Sequence, residues 1–195
     1  MKKILIASKN QGKINEYKEM LKPLQIEVIS LLDLNSSLDV EETGTSFFEN
    51  ALLKAKSAWN QYHLPCIADD SGLEVEALHG EPGIYSQRYS PLQTDEANNL
   101  FLLEKLKYVR NRNARFVCQI VYYKDLNHYS TYEGILKGNI LKKGIFQNGF
   151  GYDPYFYIPT LEKTLSQCTI KEKNDVSHRG LAMKNLLINL QKETV

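Results

Sequence analysis

The apolar positions of the first third of the chain spell out strand, loop, helix and strand in turn. Lys3 to Ser8 is a short β-branched apolar run, and Ile14, Tyr17, Leu21 and Leu24 follow at helical spacing, with Gly12 between the two patterns. A second extended run, Gln25 to Leu31, comes after Pro23, so the chain opens as a β-α-β unit in a sheet that is at least partly parallel. From Ser46 the period is helical again. Ser46 and Glu49 have capping-box spacing, Phe48, Leu52, Ala55 and Trp59 share a face, and the helix is expected to end near His63. Leu64 to Ala68 reads as a buried strand running into Asp69-Asp70-Ser71-Gly72, and Leu73 to Leu78 as a further strand, which places two acids at a strand end. A loop at Gly80, Pro82 and Gly83 precedes a helix opened by Thr94 that runs to about Tyr108. Arg115 to Tyr123 and Tyr129 to Ile140 form an antiparallel pair. Glycines and aromatics alternate without period between Lys142 and Pro159, and a last helix from about Ser177 turns Ala182, Leu186 and Leu190 inward.

Composition narrows the class. With 195 residues, 43% hydrophobic and 24% charged, the chain is expected to be a single globular domain, and disorder is excluded as a whole-chain reading. Lys and Arg total 24 against 23 acids, so the net charge of +1 supplies no field that would draw the chain onto nucleic acid or an anionic membrane. Neither is expected as a partner, and Phe150 and Tyr152 lack the basic stripe that would make them stacking platforms for a strand. Cys66, Cys118 and Cys168 are odd in number and have no CxxC spacing, which reads as reduced buried thiols. The apolar run after Met1-Lys2-Lys3 is too short for a secretory signal, and no stretch approaches the ~18 residues of a membrane span, so a cytoplasmic location is expected.

Five constellations carry candidate chemistry. Ser8-Lys9-Asn10-Gln11-Gly12-Lys13 stands where a strand hands over to a helix, so free N–H groups, the positive helix end and the Lys13 ammonium can receive an anion. The hexapeptide is not a Walker A loop, and an ordinary capped helix start has the same appearance. In Asp69-Asp70-Ser71-Gly72, strand alternation sends neighbouring side chains to opposite faces, so one carboxylate at most faces a given cleft unless Gly72 allows a turn. Two acids at the end of an apolar strand favour a Mg²⁺ site over packing, the alternative being a solvated turn capped by Asp69. Glu41-Glu42-Thr43-Gly44 reads on its own as a solvated loop before the capped helix. Gly149-Phe150-Gly151-Tyr152-Asp153-Pro154 offers close backbone approach, an aromatic face and an acceptor, which suits a planar heterocycle as well as a plain β-bend. Lys173 and Ser177-His178-Arg179-Gly180 gather cations at a helix start, where they oppose the helix dipole and need another partner.

In order, the blocks S-x-N-x-x-K, E-x-G-x-x-F-x-x-N-A, A-D-D-S-G-L, G-x-P-G-x-x-S-x-R-Y, G-F-G-Y-D-P-x-F and S-H-R resemble the Ham1/RdgB-type inosine triphosphate pyrophosphatase family from residue 4 to about residue 190. The resemblance implies a Maf/Ham1-like α/β fold, with an elongated mixed β-sheet flanked by helices and two lobes around a central cleft, and a homodimer. The implied activity is hydrolysis of inosine, deoxyinosine and xanthosine triphosphates to the monophosphate and pyrophosphate. On the matching motifs, Ser8, Lys9, Asn10, Gln11, Gly12 and Lys13 are implied to hold the triphosphate, and Ser71 to touch the substrate. Phe150, Gly151, Tyr152, Asp153, Lys173, His178 and Arg179 are implied to frame base and sugar. Asp70 is implied as general base and Mg²⁺ ligand, with either Glu41 or Glu42 as second ligand, Glu41 being preferred. Ser8-Lys9-Asn10 in place of Thr-Gly-Asn, and Gln147-Asn148 where glycines are frequent, depart from the family pattern.

Overall fold

A computed structural model describes residues 3–126 and 128–192; Met1 and Lys2 of the N-terminal run lie outside the described residues. In chain order the elements are β1 (Lys3–Ile6), α1 (Gln11–Leu21), β2 (Glu27–Ser30), α2 (Phe47–Tyr62), β3 (Cys66–Val75) and α3 (Asp95–Lys105). They are followed by β4 (Asn113–Asp125), β5 (His128–Ile140), β6 (Phe156–Ile158), β7 (Lys163–Thr164), α4 (Ile170–Val176) and α5 (His178–Lys192). The strands form one mixed sheet in the order β2-β1-β3-β4-β5-β6-β7. β1 pairs parallel with both β2 and β3, and β6 pairs antiparallel with β5 and β7. The expected α/β class with a partly parallel sheet is what the chain forms.

The chain divides into two compact units, Met1–Asp70 with Cys118–Gly134 and Arg179–Val195, and Ser71–Val117 with Ile135–His178. In the first, the two-residue period of β1 sorts the core into two faces. Ile4 and Ile6 pack with Ile14, Tyr17 and Leu21 of α1 and Ala182, Met183 and Leu186 of α5. Leu5 and Ala7 pack with Ala51, Ala55 and Ala58 of α2. Helices therefore cover this part of the sheet on both sides, which is why Ile4, Leu5, Ile6 and Ala7 are apolar at successive positions. In the second unit Leu73 and Val75 join Leu102, Leu106, Phe116, Phe156, Ile158 and Leu165.

Several expectations are corrected. The two strands expected around Asp69-Asp70 are one continuous β3, so the acids sit in mid-strand, and Glu76–Leu78 is a three-ten turn rather than strand. β3 is buried on both faces, and Gly72 continues the strand instead of turning it. In α2 the buried face is Phe47, Ala51, Ala55 and Ala58, with Phe48, Leu52 and Trp59 half-buried at its flanks, because the small alanines let the helix approach the sheet closely. Ser46 accepts from the Glu49 N–H as expected, but the Glu49 carboxylate returns to Thr45 rather than to Ser46. Leu24 lies in a three-ten turn after α1, and α3 stops at Lys105. Lys173 belongs to a separate helix, α4, where it lies in the last turn and its charge suits the dipole. The three cysteines are free and buried. Among the described residues no helix is long and apolar enough to cross a membrane.

Candidate active site

α1 begins with Asn10 in extended conformation, its side-chain oxygen accepting the Lys13 N–H at 3.1 Å, while Ser8 Oγ accepts the Asn10 N–H at 3.1 Å. These two local bonds shape the loop and set the start of the helix. Lys13, in the first turn, points inward: its ammonium lies 3.0 Å from Asp69 Oδ2. Lys9 and Gln11 are exposed.

Strand alternation then decides the fate of the two acids. Asp69 shares the face of Ile67, covered by α1 and α5; Asp70 shares the face of Cys66 and Ala68, covered by α2. On the first face Arg179, only 1% exposed, donates from Nη2 to Asp69 Oδ2 at 3.0 Å and from Nη1 to Glu16 Oε2 at 2.6 Å. Lys13, Arg179, Glu16 and Asp69 thus form a buried quartet of two cations and two anions, the arrangement that makes buried charge tolerable. Burial alone would raise the Asp69 pKa, but the charges of Lys13, Arg179 and Lys54 outweigh it and hold the carboxyl well below the usual carboxylate range. The same acids keep Arg179 charged despite its burial.

On the opposite face, Asp70 Oδ2 accepts from Asn50 Nδ2 at 3.2 Å and Oδ1 from Lys54 Nζ at 3.1 Å. Lys54 also donates to Glu42 Oε1 at 2.8 Å, and Asn50 Oδ1 accepts the Gly44 N–H at 2.9 Å. The E-x-G-x-x-F-x-x-N-A block therefore gathers on Asp70. Gly44 is required there, since a Cβ would stand 2.6 Å from Glu49 Cβ and 2.7 Å from Asn50 Oδ1. Burial works against the Lys54 charge, but Asp70, Glu42 and Asp69 prevail and raise its pKa, so it remains an ammonium. Glu41, the acid preferred from sequence, is exposed; the acid that shares a cation with Asp70 is Glu42.

In the second unit, Asp153 staples its own loop: Oδ2 accepts the Phe150 N–H at 3.0 Å and Lys173 Nζ at 2.6 Å. The Lys173 ammonium sits 4.4 Å from the centre of the Phe150 ring, a cation–π contact. Tyr152 is buried and donates its hydroxyl to the Ser86 carbonyl at 2.9 Å, so its ring is committed to packing. His178 stacks on Phe116 with ring centres 4.6 Å apart. Ser71 is half-buried on β3. Phe150, Asp153 and Lys173 are thus one assembly, with His178 buried in the same unit.

Asn50, Lys54 and Glu16 were not singled out from sequence. Asn50 is part of the E-x-G-x-x-F-x-x-N-A block, and Lys54 follows it by four residues on the same helix face, a spacing that marks the two as a pair. Glu16 carried no such signal. Among the described residues no three His, Cys, Asp or Glu side chains form a metal cage. The donor chemistry of the Asp70 site nevertheless suits a hard divalent ion: two carboxylates already converge on one cation, the Lys54 ammonium. Mg²⁺ characteristically takes one or two carboxylates and completes its shell with water and phosphate oxygens.

The model of the Ham1 family matches residues 4–188. A dITP/XTP pyrophosphatase of Exiguobacterium sp. is 48% identical over 185 residues, covering 94% of each chain. The solved Ham1 protein of Staphylococcus aureus is 45% identical, with a TM-score of 0.86 over 98% of this chain and 100% of that one. A HAM1 protein from Coxiella burnetii superposes with a TM-score of 0.88 at 38% identity, over 98% of this chain and 100% of that one. With a family match over nearly the whole length and relatives this similar, the chain belongs to the Ham1 family.

Proposed function

We propose that this chain hydrolyses non-canonical purine nucleoside triphosphates, those of deoxyinosine, inosine and xanthosine, to the nucleoside monophosphate and pyrophosphate. The observation that carries the reading is the unlike treatment of two adjacent carboxylates. Asp69 Oδ2 is locked between the Lys13 and Arg179 cations in a buried ion-pair network, whereas Asp70 meets one ammonium and one amide on the opposite face, so Asp70 is the carboxylate assigned to take the proton. The names of the relatives, dITP/XTP pyrophosphatase, support the substrate class.

In this reading the Asn10-capped start of α1 receives phosphate oxygens on its free N–H groups, with Lys13 adding positive charge. Ser8 to Lys13 hold the triphosphate. Asp70, oriented by Asn50 and Lys54, takes the proton of the water that attacks phosphorus, and the Lys54 and Lys13 ammonium groups balance the negative charge that accumulates on the leaving pyrophosphate. Asp70 and Glu42 are the acids that would hold Mg²⁺, which when bound acidifies water and neutralises phosphate charge. Phe150 offers a face to the purine, beside Lys173 and Asp153, with His178 and the Ser71 hydroxyl assigned to contact the substrate. A 6-keto oxygen accepts hydrogen bonds where the amino group of adenine would place a donor against donors, a mismatch that sites of this kind reject strongly. A homodimer and a cytoplasmic location complete the proposal.

A pyrophosphate-release assay tests it, run with the triphosphates of inosine, deoxyinosine, xanthosine, guanosine and adenosine, with and without Mg²⁺. Mg²⁺-dependent turnover of the first three well above that of adenosine triphosphate is expected, and guanosine triphosphate, which shares the 6-keto oxygen, reads discrimination at position 2 of the purine. Absence of turnover on all three, or equal turnover of adenosine triphosphate, would overturn it.

A further inference from the structure

We propose that Asp95 and Asn99 of α3 are positioning residues that clamp the peptide groups of Gly151 and so fix the Phe150 ring on which the purine stacks. The proposal rests on the reading of Phe150 as the base platform given above.

Residues 146–151 contain no helix or strand, and with Asp95, Glu96, Asn99, Leu100, Pro154 and Tyr155 they line a cavity of about 540 Å³. A segment facing open space on that side is not held there by interdigitated side chains, and its position depends on directed bonds instead. Those bonds are present. The Gly151 N–H donates to Asp95 Oδ2 at 2.7 Å, and Asn99 Nδ2 donates to the Gly151 carbonyl at 2.9 Å. One residue earlier, the Phe150 N–H donates to Asp153 Oδ2 at 3.0 Å and the Phe150 carbonyl accepts the Asp153 N–H at 3.2 Å. All four polar backbone groups of Phe150 and Gly151 are therefore engaged, two by the loop itself and two by α3.

The α3 pair is suited to anchoring. Asp95 is the first residue of the helix, directly after the Thr94 cap, and Asn99 donates again to the Asp95 carbonyl at 2.8 Å, so both side chains belong to one rigid turn. Asn99 is only 4% exposed. Gly151 adopts φ +60, a conformation that costs glycine little and that leaves its N–H and carbonyl pointing to the helix. The Asp95 bond is charge-assisted, the stronger kind.

The test compares Asp95→Ala and Asn99→Asp, the latter isosteric but opposing an acceptor to the Gly151 carbonyl, with Asp95→Asn, which keeps an acceptor oxygen. Glu96→Ala, on the same cavity wall, is the control. Asn99→Ala stands in for Asn99→Asp if thermal melting shows that variant unfolded. For inosine triphosphate we expect KM to rise about tenfold or more in the two disruptive variants, with kcat within about twofold, since only uniform substrate binding is lost. Asp95→Asn and Glu96→Ala stay near the wild type. Amide hydrogen exchange across residues 148–152 accelerates in the same two variants and not in the control. Unchanged KM, an equal fall in kcat, no rescue by Asp95→Asn or unaltered exchange would overturn the clamp. Should the wild type leave inosine triphosphate intact, the functional reading fails, and the exchange measurement alone decides whether α3 holds the loop.

Discussion

The two units of the chain hold their functional groups by different means. In the first, the groups proposed for catalysis are charged side chains on regular elements. Lys13 and Glu16 come from α1, Asn50 and Lys54 from α2, Asp69 and Asp70 from β3 and Arg179 from α5. In the second, the face proposed to receive the purine is an aromatic ring on an irregular loop, held by one buried ion pair and by side chains that grip the backbone. The contrast follows from what each group needs. A buried carboxylate must have its charge answered on every side, which only elements fixed by a shared core can do to within an ångström or so. A stacking ring needs a plane at a given place, and a loop with a few well-directed bonds supplies it at less cost in buried charge. The first unit is therefore expected to govern turnover and stability, and the second to govern recognition.

The sharpest way to break that division is Asp70→Asn, for which kcat should fall by about 10² to 10⁴ while KM stays within a few-fold. A variant that loses binding and keeps kcat would move the chemistry elsewhere. Next in size is Asp69→Asn, which leaves Lys13 and Arg179 short of an anion and should lower unfolding free energy by about 3–5 kcal/mol in urea titrations. The pH dependence has a definite sign. Because the Asp69 pKa is lower in the folded than in the unfolded chain, its contribution is fully present above the unfolded value of about 4 and is lost as pH falls below it. Wild type should lose stability steeply below that pH, and Asp69→Asn should show a shallower slope there. Equal slopes in the two proteins would mean that the quartet is not charged as its geometry indicates.

What could be read from the sequence was whatever depends on neighbours along the chain. The Asn10 cap, the Ser46 cap and the alternation that sends Asp69 and Asp70 to opposite faces are all local. The strand break at Gly72 was misread because a glycine after two acids carries the marks of a turn, whereas the partners on α1, α2 and α5 make the acids admissible in mid-strand. α4 was missed although Thr169 and Glu172 form a full capping box, since seven residues are too few to show a period. Asn50 and Lys54 lie 20 and 16 residues from Asp70, and Glu16 lies 163 from Arg179. No spacing rule reaches so far; these partners emerge only when the sheet brings their helices to the same strand.

Two smaller effects sharpen the comparison. Phe150→Ala should raise KM for inosine triphosphate by about 10- to 100-fold through lost stacking, with kcat little changed. A fall in kcat of that size would give the second unit a share in the chemistry. The smallest effect separates the two loop acids. Glu42 is half-buried and shares the Lys54 ammonium with Asp70, whereas Glu41 is exposed, so the Asp70 site extends into the loop through Glu42. Glu42→Gln should therefore weaken the apparent Mg²⁺ affinity of the enzyme by about tenfold, and Glu41→Gln by less than about threefold, in titrations of initial rate against Mg²⁺. The neutral amide still fits the Glu42 position and accepts from Lys54, which separates loss of charge from loss of shape. If Glu41→Gln proved the more damaging, the loop would have to rearrange around the ion, and the first unit would no longer be the fully preorganised partner that its network of bonds describes.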